Sequence, residues 1–421
     1  MGNEVVWKSV AWSLSHCNDA LTTRQKSYAS MKILKAIRTI SKVLIHQSIL
    51  KSSFGSVRVV SSYSKMPHKV LWVDSDCGFD DLSAVCMLHD YMGSSLNCPK
   101  IKYVSTVNGM TSASDGSAIF ATLFQFCDVV IARGMESQSL ESRSILDTDW
   151  GAGYRRSFTS FISEYLPSDS LLTGSNPASN ANVVRCTNLD EIVNDMAGLE
   201  STSRVVLLCL GPLTNIAYIL QKYPNLFRDR VEKLVMMGGA VRVGGNAPFG
   251  AEYNCYLDAE AASYVFKHCP APIELLGLEV ANDKVLTEEQ YQELMSISAE
   301  TDGEVENAPQ CNIPVNSTAP YSSRSYQLPN IRNFMRNLAK HSKDALSYDA
   351  VVSFYLIHPD AFTLETMDIK IDSMSGRTSE ISNGETAHPS PDCTSVKVAT
   401  SVCKLSYLNF LRSLFRSEND D

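Results

Sequence analysis

No two of the twelve cysteines in this 421-residue chain stand in a CxxC pair, so the common zinc-ribbon and dithiol redox patterns are excluded. A secretory hydrophobic region is also lacking at the N-terminus, and the cysteines therefore read as reduced thiols of an intracellular protein rather than a disulfide framework. No run approaches ~18 consecutive apolar residues, so no membrane-spanning helix is expected. GxSxG is missing and no Cys/His pairing is evident, which removes the serine- and cysteine-hydrolase readings. What remains is ordinary globular composition, 44% hydrophobic and 20% charged. That excludes a disordered tail, a collagen-like chain and a coiled coil.

Acid is missing from one stretch. Residues 20–73 hold ten Lys/Arg and no Asp or Glu, while residues 1–19 carry −1. Against a total of −9, the remaining 348 residues carry −18. So acidic a body repels phosphate polymers and suits a protein that holds a cation. Within the basic stretch, Ile33, Ile37, Ile40, Val43 and Leu44 form one helical stripe among Lys32, Lys35, Arg38 and Lys42. Residues 1–65 are thus expected to be a disordered or targeting extension, with residues 66–421 as the working domain. The expected location is cytoplasmic, or mitochondrial if the extension is an import sequence.

From residue 69 onward short apolar runs alternate with helical periodicity. Strands are expected at Val70–Val73, Ile101–Val107, Val129–Ala132, Val205–Leu210, Lys233–Met237 and Ile273–Leu278. They are rich in Val, Ile and Leu without polar alternation, as in strands covered on both faces. Helices are expected at Asp81–Tyr91, Ser114–Phe126, Asn215–Lys222 and Ala259–Lys267. The fold class is therefore α/β: one domain with a mostly parallel central sheet flanked by helices and a Rossmann-like core. Ligands of such sheets gather beyond the carboxyl ends of the strands. Residues 134–203 and 295–345, rich in Ser, Asn, Pro and Gly, read as long loops.

Directly after the first strand comes Asp74-Ser-Asp76-Cys-Gly78-Phe-Asp80-Asp81. Four carboxylates so close raise each other's pKa unless a cation sits among them, and an all-oxygen set suits Ca2+ or Mg2+. Helix capping accounts for Asp80 and Asp81 alone. A dehalogenase-like phosphatase also begins with a strand-end DxD, but the later acidic pair it needs is missing. An EF-hand loop needs Glu where Val85 stands.

The segment resembles the N-terminal DxDPGxDD signature of the inosine–uridine-preferring nucleoside hydrolases. The resemblance continues in order through Thr106-Val-Asn108-Gly109, Gly211-Pro-Leu-Thr-Asn215-Ile-Ala, Met236-Met237-Gly238-Gly239 with Gly245-Asn246, Ala251-Glu252-Tyr253-Asn254 and Tyr348-Asp349-Ala350. It covers about residues 69–415. It implies hydrolysis of the N-glycosidic bond of ribonucleosides, with Ca2+ as cofactor, no nucleic-acid polymer or membrane as partner, and a homodimer or homotetramer. By the same resemblance Asp76 is the general base and touches the metal. Asp81, Asp349 and the Leu210 backbone carbonyl are its other ligands. Asp80, Asn108, Asn246, Glu252 and Asn254 hold the ribose, Met237 belongs to the pocket wall, and Asp74 orients the others from behind.

Two departures bear on substrate. The histidine that pyrimidine-accepting members carry before the late aspartate is Tyr348 here. A second histidine, expected after the third strand, is absent; Asp149-Trp150-Gly151 offers an indole in that loop instead. Trp150 and Tyr348 as base-binding rings resemble the purine-specific branch, whereas Asn108 is closer to the nonspecific branch. The expected enzyme is a purine nucleosidase, the alternatives being a nonspecific hydrolase or a nucleoside-binding member without catalysis. Cys77, where proline is usual, is expected to loosen the turn yet leave the carboxylates in place.

Overall fold

The computed structural model of the chain describes residues 69–94, 99–124, 128–136, 149–165, 185–305, 331–381 and 393–416. The expectations for residues 1–65 lie outside this set. Seven parallel strands come first: β1 (Lys69–Ser75), β2 (Lys100–Thr106), β3 (Val130–Arg133), β4 (Arg185–Asn188), β5 (Arg204–Cys209), β6 (Val231–Met237) and β7 (Ile273–Leu276). They are followed by β8 (Phe362–Ile371), β9 (Thr378–Glu380) and β10 (Thr394–Val402). The helices of the first half are α1 (Phe79–Ser94), α2 (Ala113–Leu123), α3 (Asp149–Tyr165), α4 (Leu189–Ala197), α5 (Thr214–Lys222) and α6 (Pro224–Arg230). Those of the second are α7 (Tyr253–Leu257), α8 (Ala259–His268), α9 (Glu288–Val305), α10 (Ile331–His341), α11 (Asp349–Ile357) and α12 (Lys404–Phe415).

The sheet order is β4-β3-β2-β1-β5-β6-β7-β10-β8-β9. β10 runs parallel to β7, and β8 pairs antiparallel with both β10 and β9. All six expected strands and all four expected helices form. Along β1, Leu71 and Val73 enter one apolar cluster, while Val70 and Trp72 enter the other. Both faces are buried, which is why the strand sequence is continuously apolar. From β1 the chain moves outward through β2, β3 and β4, then returns to β1's other side at β5. That reversal makes the crevice beyond the ends of β1 and β5 the topological switch point.

The two stretches expected as loops carry more structure than that. α3, β4 and α4 fall in the first, and α9 and α10 reach into the second. α10 buries Ile331, Phe334, Met335, Leu338 and Ala339, a spacing of i, i+3, i+4, i+7, i+8 that the surrounding polar residues obscured. Among the described residues no helix is long and apolar enough to cross a membrane.

Candidate active site

β1 delivers the acidic segment to the switch point. Asp76 to Gly78 form the turn, and Asp80 and Asp81 occupy the first turn of α1, where acid is favoured by the helix dipole. Asp81 Oδ2 accepts the Gly78 N–H at 2.9 Å and its Oδ1 accepts the Ser75 hydroxyl. Cys77 does not loosen this turn. Its φ is 60°, in the left-handed region that proline's ring forbids, and its N–H donates to Ser75 Oγ at 3.0 Å. Asp76 Oδ2 accepts the Met110 N–H at 2.9 Å. This approach requires Gly109, because a Cβ there would lie 2.1 Å from Asp76 Oδ2.

The other components arrive from distant parts of the chain. Leu210, just past β5, donates its N–H to the Asp74 carbonyl at 2.8 Å, and its own carbonyl accepts from Asn254 Nδ2 at 2.8 Å. Glu252 caps α7. Its Oε1 accepts the Asn254 N–H at 2.9 Å, and its Oε2 accepts those of Gly239 at 3.0 Å and Cys255 at 3.1 Å. Each oxygen has two acceptor sites, so Oε1 keeps one. Asn246 Oδ1 accepts the Tyr253 N–H at 2.9 Å, leaving its NH2 group as a donor. Asp349 opens α11, which packs on α1. The residue before it, Tyr348, has φ 42° and ψ −106°, a strained backbone of the kind that collects at functional sites.

Burial raises the pKa of Asp76 well above the usual carboxylate range, and Asp81 adds to it. Asp80 is raised by burial, then by Asp81 and Asp344. Asp349 is raised by burial, then by Asp81, Asp80 and Asp76. These groups have too little positive charge around them. Asp349 Oδ1 is buried with no hydrogen-bond partner among the described residues. One oxygen from each of Asp80, Asp81 and Asp349 falls within 4.8 Å of the others. An orphaned carboxylate oxygen in an all-oxygen cluster fits a hard divalent cation. Asp74 stands behind the cluster. Its Oδ1 accepts from Ser105 Oγ and Asn215 Nδ2, and burial pushes its pKa up to about 7.

Around the acids opens a cavity of about 320 Å3, within the size range of small-molecule pockets. Asp76, Asp80, Asp81, Leu210, Met237, Asn246, Glu252, Asn254, Tyr348 and Asp349 line it, so the fold assembles ten of the thirteen residues singled out in the sequence. Asp74 lies behind them. Asn108 is half-buried and its N–H is bound to the Met135 carbonyl; the adjacent turn brings Met110 to the wall instead. Asp149 and Trp150 begin α3 rather than sitting in a loop, and the Trp150 side chain lies outside the described residues. Met110, Tyr154, Tyr253 and Asp344 line the cavity without having been anticipated. Tyr154 had a signal: Tyr154, Phe158, Phe161 and Tyr165 recur at helical spacing.

A carboxylate-floored pocket at the switch point of a largely parallel sheet defines an α/β protein with a small-molecule-sized acidic cavity, whose oxygen cluster fits a divalent cation. Within that class the chain belongs to a specific family. A family model described as inosine-uridine preferring nucleoside hydrolase matches residues 71–408, so the chain is a member of that family. The pyrimidine-specific ribonucleoside hydrolase RihA of Shewanella baltica is 40% identical over 98 residues, 23% of this chain and 30% of the relative. The matched part thus spans under a third of that curated relative. An inosine-guanosine nucleoside hydrolase structure aligns with TM-score 0.60 at 21% identity, covering 83% of this chain and 98% of the other. The Bacillus anthracis inosine-uridine preferring nucleoside hydrolase aligns with TM-score 0.57 at 20% identity, covering 83% and 99%. At such identities these two structures speak to the fold.

Proposed function

We propose that the protein hydrolyses the N-glycosidic bond of ribonucleosides, with purine nucleosides preferred, to free base and ribose. The observation that carries this reading is the orphaned Asp349 Oδ1 within the carboxylate cluster of a cavity lined by polar amide side chains. Asp80, Asp81 and Asp349, with Asp76 and the Leu210 carbonyl beside them, would hold Ca2+. When bound, that ion lowers the pKa of a water and orients the ribose diol.

The chain's own groups supply the rest. Asp76 Oδ2 is held by the Met110 N–H, which fixes the carboxylate and leaves Oδ1 to take a proton from water. The hydroxide oxygen bonds to C1′ as the C1′–N bond breaks, and the bonding pair leaves with the base, through an oxocarbenium-like transition state. Asn254, Glu252 and Asn246 grip the sugar hydroxyls. Burial raises the pKa of the Tyr348 phenol, helped by Asp344, so at neutral pH the phenol is a hydrogen-bond donor facing the leaving base. A ring stacked on a base contributes ~1–3 kcal/mol, which favours the larger purine surface.

The test is ribose release from inosine, guanosine and uridine, with and without EDTA, beside Asp76→Asn. Purine-selective release abolished by chelation and by the variant is the expected result. Turnover of uridine equal to that of purines would remove the purine preference and leave the hydrolase. No release from any nucleoside would overturn the activity itself.

A further inference from the structure

Among the described residues six carboxylates line the cavity, and five of them belong to the cluster or to the loop that supports it. Asp76, Asp80, Asp81 and Asp349 form the cluster, and Glu252 is committed to three backbone N–H groups. The sixth, Asp344, comes from a different element, the short 3-10 turn Lys343–Leu346. That turn is fixed by the Ser347 N–H donating to the Asp344 carbonyl at 2.8 Å and the Ala345 N–H donating to the Ser342 carbonyl at 3.1 Å. Its backbone is therefore positioned, while its carboxylate has no hydrogen-bond partner among the described residues. The adjacent Lys343 acts on it only through space, lowering its pKa, because Lys343 Nζ is bound to Glu288 Oε2 at 2.9 Å. The nearby Asp283 is another acid.

Asp344 and Tyr348 line the cavity four residues apart and interact electrostatically. This carboxylate is thus an acceptor without donors, half-buried in the wall beside the ring assigned to the leaving base.

We infer that Asp344 is a specificity-determining residue that accepts hydrogen bonds from the N–H edge of the leaving base, and that it selects guanosine. The inference rests on the nucleoside hydrolase reading above. Guanine presents two adjacent donors, N1–H and the 2-amino group, which match the two oxygens of a carboxylate. Hypoxanthine presents one donor. Adenine and cytosine place a ring-nitrogen acceptor where the carboxylate needs a proton, and uracil flanks its single N–H with two carbonyl oxygens. A polar group in a pocket discriminates most strongly when the wrong ligand leaves it unpaired.

The experiment measures kcat/KM for guanosine, inosine, 1-methylguanosine and uridine with the full-length wild-type protein, Asp344→Asn and Asp344→Leu. Thermal melting reports whether each variant is folded, and the isosteric Asn variant carries the test if the Leu variant does not fold. The wild type should favour guanosine over inosine by about tenfold and disfavour 1-methylguanosine by a similar factor. In either variant the guanosine-to-inosine ratio should fall to about one. A ratio that persists in a folded variant, or equal wild-type use of guanosine and 1-methylguanosine, overturns the assignment of Asp344 alone. No ribose from any nucleoside with the wild type overturns the hydrolase reading and this inference with it.

Discussion

Asn215 Nδ2 donates to Asp74 Oδ1 at 2.7 Å, joining residues 141 positions apart. The same amide nitrogen donates to the Thr106 carbonyl at 3.0 Å, and Asn215 Oδ1 accepts the Met135 N–H at 2.8 Å. One fully buried amide therefore ties the end of β1 to the end of β2, the segment after β3 and the start of α5. Replacing it with leucine leaves the Asp74 carboxylate and two backbone groups without these partners. Asn215→Leu is expected to cost about 3 kcal/mol, read as a lower midpoint in urea unfolding. A midpoint within error of wild type would show that Asn215 is not the tie.

Cys77 makes the turn before α1 differ from the family's usual proline-containing form. At φ 60° a proline cannot fit, and it would also remove the N–H bound to Ser75 Oγ. Cys77→Pro is expected to destabilise by about 3 kcal/mol and to displace the carboxylates. Cys77→Gly, which accepts this φ at no steric cost, should retain far more activity. If the proline variant is as stable and active as wild type, the left-handed turn is wrong.

Cation binding should appear in stability as well as in turnover. Titrating Ca2+ into chelator-treated protein is expected to raise unfolding free energy by about 2.7 kcal/mol at a hundredfold excess over Kd. Asp349→Asn, which weakens the orphaned ligand, should lose most of that gain. Differential scanning calorimetry of both proteins decides it; equal stabilisation of the two would remove Asp349 from the cation site.

His89 on α1 packs against Phe124 with ring centroids 5.6 Å apart. Burial lowers its pKa below 6.5, partly opposed by Asp90. The unfolded chain therefore binds this proton more readily than the folded one. Its contribution is present above about pH 6.5 and is lost as the pH falls into the depressed folded range, with a slope of at most about 1.4 kcal/mol per pH unit. His89→Leu should flatten stability between pH 7 and 5. An unchanged slope in urea titrations would assign the acid sensitivity elsewhere.

The parallel strands were legible because both faces of each are buried, so residues such as Leu71 and Trp72 spell their environment directly. The amphipathic stripe of α10 and the aromatic stripe of α3 were equally present, but polar surroundings hid them. The antiparallel-paired β8 and β9 were less readable: β8 alternates only from Thr366 onward, with Met367, Ile369 and Ile371 buried between the more exposed Thr366, Asp368 and Lys370. Cavity residues followed the same divide. Asp76, Asp80 and Asp81 announce themselves as adjacent acids after a strand. Asp344 and Met110 carry no local sign of the cavity they line.

By itself the sequence determined the strand–helix alternation, the clustering of four acids after β1, and the ordered motifs that place the chain in its family. Local side-chain chemistry suffices for these, since burial on two faces and charge density are written in consecutive residues. Only the tertiary structure decided that Asp349 reaches Asp80 and Asp81, that three backbone N–H groups hold Glu252 in place, and that Asp344 joins Tyr348 in the wall. Those meetings depend on long-range packing: α11 buries Val351, Val352 and Phe354 in the core that α1 shares. The free energy of that burial, rather than any attraction among the acids, carries like charges into one cavity.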